Sequence, residues 1–151
     1  MKKKELAVAA LESGTVIDHI PSDALFKAVR LLELEQMEKS VTIGNNLPSP
    51  QMGTKGIIKI ADTVFPDEVI NRIAVIAPSA VINIIEDYEV VSKQAVELPD
   101  EIVDIVRCSN PKCVTRNEPM RSRFTVASRE PVALRCCYCD NEISGDEAEL
   151  K

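Results

Sequence analysis

Four cysteines in two close pairs near the C-terminal end constrain the fold of this 151-residue chain more than any other feature. The pattern is Cys108-x4-Cys113, then 22 residues, then Cys136-x2-Cys139. Such pairs are typical of a zinc ribbon, in which two turns present their thiolates to one tetrahedral ion. Soft thiolates suit Zn²⁺, whose filled d-shell imposes no other geometry. Four thiolates leave no position for water or substrate, so we predict one structural zinc ion per chain.

The fifth cysteine, Cys137, allows a second assignment of the ligands. The spacing from Cys137 to Cys139 is too tight for the usual zinc turn, so Cys136 and Cys139 are the predicted ligands and Cys137 a free thiol. The alternative is two disulfides or unpaired core thiols. Clustered cysteines in a chain without an export signal more often bind metal, which favours the zinc site. The negative charge of four thiolates predicts Lys112 and Arg135 as basic neighbours.

The position of the cysteines divides the chain in two, because all five follow residue 107. We predict one domain over residues 1–98 and a zinc-ribbon domain over residues 99–151, with a connector at Leu98, Pro99 and Asp100. A domain of about 50 residues is too small for a secure aliphatic core. Metal binding would therefore supply much of its folding free energy.

The charge and hydropathy of the chain exclude several classes of partner. The formal net charge of −6 argues against a nucleic-acid partner, because such partners usually require a basic face. No apolar stretch approaches the roughly 20 residues that span a bilayer. No signal peptide is recognisable at the N-terminal end. These observations predict a cytoplasmic protein without a membrane partner.

Aliphatic runs and amphipathic segments alternate before residue 98. Strands are predicted at residues 6–11, 15–20, 41–44 and 56–61, a loop at 45–53, and one interrupted strand over 81–85 and 88–91. Ser22 is the predicted cap of a helix whose apolar side runs from Leu25 to Met37. Pro66 opens a second helix, which Pro78 ends. The order β, α, β, β, α, β predicts an α+β fold, namely a ferredoxin-like antiparallel sheet with two helices, followed by a small β zinc-ribbon domain.

Lysines on one predicted strand suggest an anion-binding surface. Lys55 and Lys59 are four residues apart and share one face of the sheet if the strand covers both. Lys93 follows the last strand and can approach that surface. Such ammonium groups suit a polyphosphate, although exposed strand lysines are mostly just solvated. The single histidine, His19, follows Asp18 without a nucleophile nearby, so we predict no catalytic site.

Longer motifs of the chain are more specific than these spacings. They are GTVIDHIP at residues 14–21, TIGNNLPS at 42–49, Met52-Gly53 with Lys55 and Lys59, Asn83, YEVV at 88–91, and the four cysteines. In this order and spacing they resemble the regulatory chain of aspartate carbamoyltransferase over nearly the whole sequence. The resemblance extends from about residue 6 to about residue 142.

This resemblance implies a regulatory subunit without catalytic activity. In that family the N-terminal domain binds nucleotide triphosphate effectors, typically CTP or UTP as inhibitors and ATP as activator. The zinc domain contacts the catalytic chain, and the regulatory chains self-associate as dimers. Three such dimers bridge two catalytic trimers, which make carbamoyl-aspartate for pyrimidine biosynthesis. The implied mechanism is allosteric control of catalysis through the zinc domain.

The resemblance also implies a role for individual residues. The effector pocket would comprise Val8, Ala9, Ala10, Leu11, Asp18, His19, Lys55, Lys59, Asn83, Ile85, Tyr88, Val90 and Lys93. Backbone groups at residues 9–11 and at Ile85 would read the base. Lys93 and His19 would meet the phosphates, and Lys59 would meet the ribose and base. Asn110 would lie at the catalytic-chain interface, and the four cysteines chosen by spacing would bind zinc.

Three residues depart from the pattern of that family. Ala9 stands where familiar members carry an acidic residue, which removes one side-chain contact from the implied pocket. Lys112 replaces a neutral amide beside the second cysteine. Cys137 is additional.

An alternative function is a zinc-ribbon module that binds nucleic acid or acts in transcription, with an appended dimerisation domain. Its basis is a set of basic residues in the cysteine-rich part, namely Lys112, Arg116, Arg121, Arg123, Arg129 and Arg135. The acidic balance of the chain and its 3% aromatic content count against this alternative, because single strands stack on aromatic side chains.

Overall fold

The computed structural model describes residues 10–151, and its N-terminal part is a five-stranded sheet with short helices. The elements of this part are β1 (Gly14–Ile20), α1 (Leu25–Leu31), β2 (Val41–Ser49), β3 (Gly53–Ala61), α2 (Asp67–Ile70), β4 (Val81–Glu86) and β5 (Glu89–Ala95). Two 3-10 segments, Leu34–Gln36 and Asn71–Val75, follow the two helices. The predicted strand at residues 6–11 lies mostly outside the described residues, and Ala10 and Leu11 are not in a strand.

All neighbouring strands of the sheet are antiparallel, in the order β2-β3-β1-β4-β5. The first four strands have the order of a ferredoxin-like sheet, with β1 and β3 in the centre. Together with the small β-sheets of the C-terminal part, this confirms the predicted α+β class. The added strand β5 makes one edge of the sheet, and β2 makes the other.

The core lies on the face of the sheet that carries isoleucines in register. Ile17 of β1 pairs with Ile58 of β3 and with Ile82 of β4, and all three are buried. Leu25 of α1 covers Gly56, where an added Cβ would lie 2.8 Å from the leucine Cδ1. Alternation along each strand therefore places the residues between these isoleucines on the opposite face.

Two strand predictions were wrong in extent. The predicted loop at residues 45–53 continues as strand, because β2 runs to Ser49 with a shift of register between Gly44 and Leu47. Asn46 adopts a left-handed φ of 58° within this irregularity. Pro48 is tolerated because β2 is an edge strand, where a missing N–H breaks no ladder.

The predicted interrupted strand is a hairpin of two strands. Asp87 and Tyr88 both have positive φ, 53° and 68°, as the two central residues of a tight hairpin turn require. The chain therefore reverses between β4 and β5. Because the sequence has no glycine at this turn, the residue pattern predicted an interruption of one strand and not a hairpin between two.

The first helix was predicted with the wrong boundaries. Its N-cap is Ala24 without a side-chain cap, while the Ser22 hydroxyl donates to Thr54 Oγ1 at 2.9 Å. The helix ends at Leu31, and Glu33 has a left-handed φ of 54°. Met37 thus lies beyond the helix, although its side chain still packs against the core.

The C-terminal part consists of short strands whose buried side chains belong to the same hydrophobic core as those of the five-stranded sheet. Its elements are β6 (Glu101–Val103), β7 (Val106–Arg107), α3 (Val114–Asn117), β8 (Arg123–Arg129), β9 (Val132–Cys136), β10 (Glu142–Ser144) and β11 (Glu149–Leu150). They form a sheet of order β10-β9-β8-β6 and a β11-β7 pair. Ile102, Val106, Phe124 and Leu134 are its fully buried large side chains.

The two parts of the chain touch near α1. The Lys27 ammonium lies 3.4 Å from the Asp146 carbonyl and 3.5 Å from that of Ala148. Gly145 approaches the Val75 carbonyl so closely that an added Cβ would lie 2.5 Å from it. Within residues 10–151, no helix has the length and apolar character to cross a bilayer.

Candidate metal centre and effector surface

The four cysteines selected by spacing converge on one point. The sulfur atoms of Cys108, Cys113, Cys136 and Cys139 all lie within 4.8 Å of one another. The Cys108–Cys139 and Cys113–Cys136 sulfur distances are 3.5 and 3.7 Å. A tetrahedral zinc ion with Zn–S bonds of about 2.3 Å holds its sulfurs about 3.8 Å apart. The donor set and its spacing therefore fit one tetrahedral metal ion.

Backbone hydrogen bonds shape the turns that carry these sulfurs. In the first turn, Cys113 N donates to the Asn110 carbonyl at 3.0 Å. In the second turn, Asp140 N donates to the Cys136 carbonyl at 2.9 Å, and Asp140 adopts a left-handed φ of 64°. The Tyr138 N–H points at the Cys136 sulfur at 3.4 Å. Each turn thus fixes one pair of sulfurs.

The protonation of the thiols depends on their surroundings. Burial raises the pKa of Cys108 to about 12 and also raises the pKa of Cys136. For Cys139, burial raises the pKa, but hydrogen bonds with Asn110, Asn141, Cys108 and Cys113 together lower it to about 7. A bound cation deprotonates coordinating thiols outright. Metal binding to this site would consequently release protons.

Cys137 points away from the cluster. It is exposed, whereas Cys108, Cys113 and Cys136 are buried and Cys139 is partly buried. Among the described residues, the four-sulfur group is the arrangement of cysteine, histidine and carboxylate side chains that can hold a metal ion. The placement of Cys137 agrees with its prediction as a free thiol.

The predicted basic neighbour Arg135 pairs with a carboxylate and not with the cysteine cluster. Its guanidinium forms an ion pair with Glu142 across the β9–β10 pair, where the two residues are in register. Lys112 is exposed on the first turn. The basic group that supports the cluster is Arg116, whose Nη1 donates to the Cys108 carbonyl at 2.8 Å. Sequence reasoning missed this contact because it joins α3 to the end of β7.

The basic residues of the C-terminal part do not form a continuous cationic face. Arg123 pairs with Glu101 at 2.8 Å, and Arg129 pairs with Asp100 at 2.5 Å. With the Arg135–Glu142 pair and the looser Arg116–Glu149 pair at 3.8 Å, four of the six residues behind the nucleic-acid alternative have a carboxylate partner.

The predicted effector residues gather on the sheet face opposite the isoleucine core. Val16 of β1 pairs with Lys59 of β3 on one side and with Asn83 of β4 on the other, and Asn83 pairs with Lys93 of β5. These residues form one row across four strands. At a strand spacing of about 4.8 Å, the lysines at the two ends of the row have backbones about 14 Å apart.

The charged groups of this face interact with one another. The Lys55 ammonium lies 2.9 Å from Asp18 Oδ1, and both side chains are only about one-fifth exposed. Burial lowers the pKa of Lys59, and the negative charge of Asp18 opposes that shift. A partly desolvated cation gains more from an anionic ligand than a fully hydrated one. Lys59 would therefore gain more from an anionic ligand than a fully exposed lysine.

His19 occupies a strained position at the end of this face. Its φ is 60°, and its N–H donates to Asp18 Oδ1 at 2.7 Å. The ring atom Nδ1 is buried without a hydrogen-bond partner and lies 3.8 Å from the Asp18 carboxylate. A buried ring nitrogen without a partner is a polar atom that a ligand or water can satisfy.

The opposite end of the effector face is apolar. Ile85 pairs with Gly14 and with Val90, and Tyr88 and Val90 are more than half exposed. Tyr88 N donates to the Glu12 carbonyl at 2.9 Å, which brings Ala10 and Leu11 beside this end. The implied pocket residues Val8 and Ala9 lie outside the described residues. The other eleven residues of the implied set belong to this face or its border.

Asn110 has a structural role in the first cysteine turn. Its side-chain oxygen accepts a hydrogen bond from Lys112 N at 3.0 Å, and its backbone carbonyl accepts a hydrogen bond from Cys113 N. Two exposed apolar side chains flank the same cluster, Val114 after Cys113 and Tyr138 before Cys139. We refer to Asn110, Val114 and Tyr138 as the zinc-end surface.

Comparisons with known proteins match the chain in two segments. A family model for the aspartate carbamoyltransferase regulatory chain, allosteric domain, matches residues 6–97, and one for its metal binding domain matches residues 100–149. A regulatory chain from Porphyromonas gingivalis is 56% identical over 150 residues, which cover 99% of both chains. Regulatory chains from Bacteroides thetaiotaomicron and Thermococcus gammatolerans are 55% and 45% identical. They cover 98% and 95% of this chain, and 97% and 95% of their own lengths.

Proposed function

The chain belongs to the family of aspartate carbamoyltransferase regulatory chains, and on this premise we propose that its sheet face binds nucleotide effectors. As a family member, the chain is the non-catalytic subunit of an enzyme complex, whose other component is a catalytic chain. The proposal assigns nucleotide sensing to residues 1–98 and contact with the catalytic chain to residues 99–151.

The observation that supports nucleotide binding is the row of side chains from Lys59 to Lys93 across four strands, together with the apolar end of the same sheet face near Ile85. A triphosphate carries several negative charges, which Lys93 and the ring of His19 can approach from one end of the face. The base requires an apolar surface and backbone donors, which Ile85 and the segment at residues 10–11 supply. An amphipathic face of this kind accommodates a nucleotide lying across the strands.

We assign zinc to the four-sulfur cluster. Four thiolates at tetrahedral spacing favour a soft divalent ion, and a closed coordination sphere excludes a catalytic role. The ion would crosslink the end of β7, the start of α3 and the end of β9. This crosslink shapes the zinc-end surface, which we assign to docking on the catalytic chain.

Allosteric transmission requires that the two parts of the chain be mechanically joined. The Lys27 ammonium of α1 donates to two backbone carbonyls of the C-terminal part, and Gly145 packs closely against the Val75 carbonyl. An effector that binds one quaternary state better than another then shifts the equilibrium between them, by about 1–3 kcal/mol in typical allosteric proteins. For the regulatory dimer, the two edge strands β2 and β5 are the surfaces that a second sheet can extend.

The nucleotide proposal predicts that Lys93→Ala weakens effector binding at least about tenfold, because a charge-assisted contact to phosphate contributes roughly 1.5–3 kcal/mol. The measurement is calorimetric titration of the zinc-loaded chain, in complex with the catalytic chain, with CTP and with ATP. The matched control is Lys39→Ala, a lysine exposed in the loop before β2, which should leave both affinities unchanged. Equal affinities for Lys93→Ala and the parent chain would refute this pocket.

The docking proposal predicts that Tyr138→Ser weakens association with the catalytic chain by a factor of about ten or more, as loss of an aromatic interface anchor does. The readout is co-purification and analytical ultracentrifugation with the catalytic chain. The control is Phe26→Ser, which removes from α1 an aromatic side chain that is more exposed than Tyr138. We expect this variant to associate with the catalytic chain normally. Full assembly of Tyr138→Ser at submicromolar concentration would place the docking surface elsewhere.

A further inference from the structure

A small groove on the C-terminal part is lined mainly by cationic and hydroxyl side chains. Its volume is about 180 Å³, and its lining residues are Arg107, Cys108, Thr115, Arg116, Ser122 and Lys151. We refer to it as the arginine groove. It lies between the β7–β11 pair and α3 and shares no lining residue with the effector face.

The two guanidinium groups of the arginine groove have only a loose anionic partner. Glu149 Oε1 lies 3.7 Å from Arg107 Nε and 3.8 Å from Arg116 Nη1, beyond hydrogen-bond distance. The Glu149 side chain is 65% exposed, so water competes for its carboxylate. Each guanidinium has five N–H donors, and one of those on Arg116 is used by the Cys108 carbonyl. Donors therefore remain for a second anion.

Cationic and acidic groups are mixed around the arginine groove. The Lys151 ammonium pairs with Asp104, and Arg121 is close enough to contribute to the lowered pKa of that carboxyl. Together with the two groove arginines, four cations lie in this region with the carboxylates of Asp104 and Glu149, and the four-thiolate site at Cys108 adds negative charge on its side. The attraction for an anion therefore comes from the unused guanidinium donors of Arg107 and Arg116.

We propose that the arginine groove binds a small tetrahedral oxyanion of the phosphate class. The guanidiniums of Arg107 and Arg116 hold its oxygens in place of the Glu149 carboxylate, which swings into solvent. Planar guanidinium forks match the oxygens of phosphate in pairs. The groove volume corresponds to roughly six water molecules, which is sufficient for such an ion.

The test is titration of the zinc-loaded full chain with inorganic phosphate, followed through the arginine Nε–H resonances in NMR spectra. The Arg107 resonance is identified by its loss in Arg107→Gln, and the Arg116 resonance reports binding in every variant. Arg107→Gln should weaken binding about fivefold, as for a strong exposed ion pair. Glu149→Gln should strengthen binding about threefold, because it removes the competing carboxylate.

Matched controls are supplied by the Arg135–Glu142 pair of the same part of the chain. Arg135 and Glu142 are both about half exposed, like Arg107. Arg135→Gln therefore removes the same charge as Arg107→Gln, and Glu142→Gln removes the same charge as Glu149→Gln, from side chains of comparable exposure. Both should leave phosphate affinity within about twofold, because neither residue lines the groove and exposed charges are screened by salt. Acetate is titrated in parallel, and its affinity should be lower than that of phosphate.

Three results would overturn the proposal. The first is the absence of saturable phosphate shifts at Arg107 and Arg116 in the parent chain. The second is equal changes for the groove variants and their matched controls, which would reduce the effect to net charge. The third is acetate binding as tight as phosphate, which would make the groove a carboxylate site. Zinc content and melting temperature are measured for every variant, and Glu149→Gln keeps the test decisive if Arg107→Gln fails to fold.

Discussion

Cys136→Ser is expected to abolish metal retention and to unfold the C-terminal part of the chain. Cys136 ends β9, is fully buried, and carries a sulfur 3.7 Å from that of Cys113. Apart from Ile102, Phe124 and Leu134, few large side chains are fully buried there. Structural zinc contributes apparent binding free energies of about 10–16 kcal/mol in small zinc domains. A serine hydroxyl does not replace the missing thiolate as a soft ligand.

The measurement is metal content per chain together with circular dichroism and association with the catalytic chain. The parent chain should carry one zinc ion, and the variant should carry less than about one tenth of that, in line with the loss of one of four ligands. Cys137→Ser is the matched control, because it changes the adjacent exposed thiol and should retain the metal. If Cys137→Ser lost zinc while Cys136→Ser kept it, the ligand assignment would be reversed.

Gly14→Ala is expected to destabilise the sheet by about 3–5 kcal/mol, at the upper end of single substitutions. Gly14 begins β1, has a φ of 136°, and pairs with Ala61 and Ile85 on either side. A Cβ added there would lie 2.1 Å from the Ile60 carbonyl oxygen and 2.9 Å from Asp62 N. Because both atoms are backbone, relief requires that the central strands separate.

The cost at Gly14 has two causes, the positive φ and the close approach of backbone atoms, and Gly53→Ala separates them. Gly53 also has a positive φ, 79°, but an added Cβ would have no atom within 4 Å. Its substitution should therefore cost only about 1 kcal/mol, the penalty of a strained backbone conformation alone. Denaturant unfolding of the zinc-loaded chains measures both values. Equal destabilisation by the two substitutions would show that the close approach at Gly14 is relieved by local movement.

The effector face illustrates where sequence reasoning was sufficient and where it was not. The even spacing of Lys55 and Lys59 placed both on one side of a strand, and the structure has both approach Asp18. The row that joins Lys59 to Lys93 depends on β1 and β4 lying between them. Neither the register of those strands nor the Asp87–Tyr88 hairpin is visible in the spacing of residues.

By itself the sequence determined the four-cysteine pattern, the order of most elements and the family. These are local properties, because sulfur spacing and strand alternation are set by a few consecutive residues. Only the tertiary structure decided that Arg135 pairs with Glu142, that Arg116 supports Cys108, and that two arginines share a groove. Those contacts join residues from different strands and helices, and their energies depend on distances that the chain acquires only when its sheets assemble.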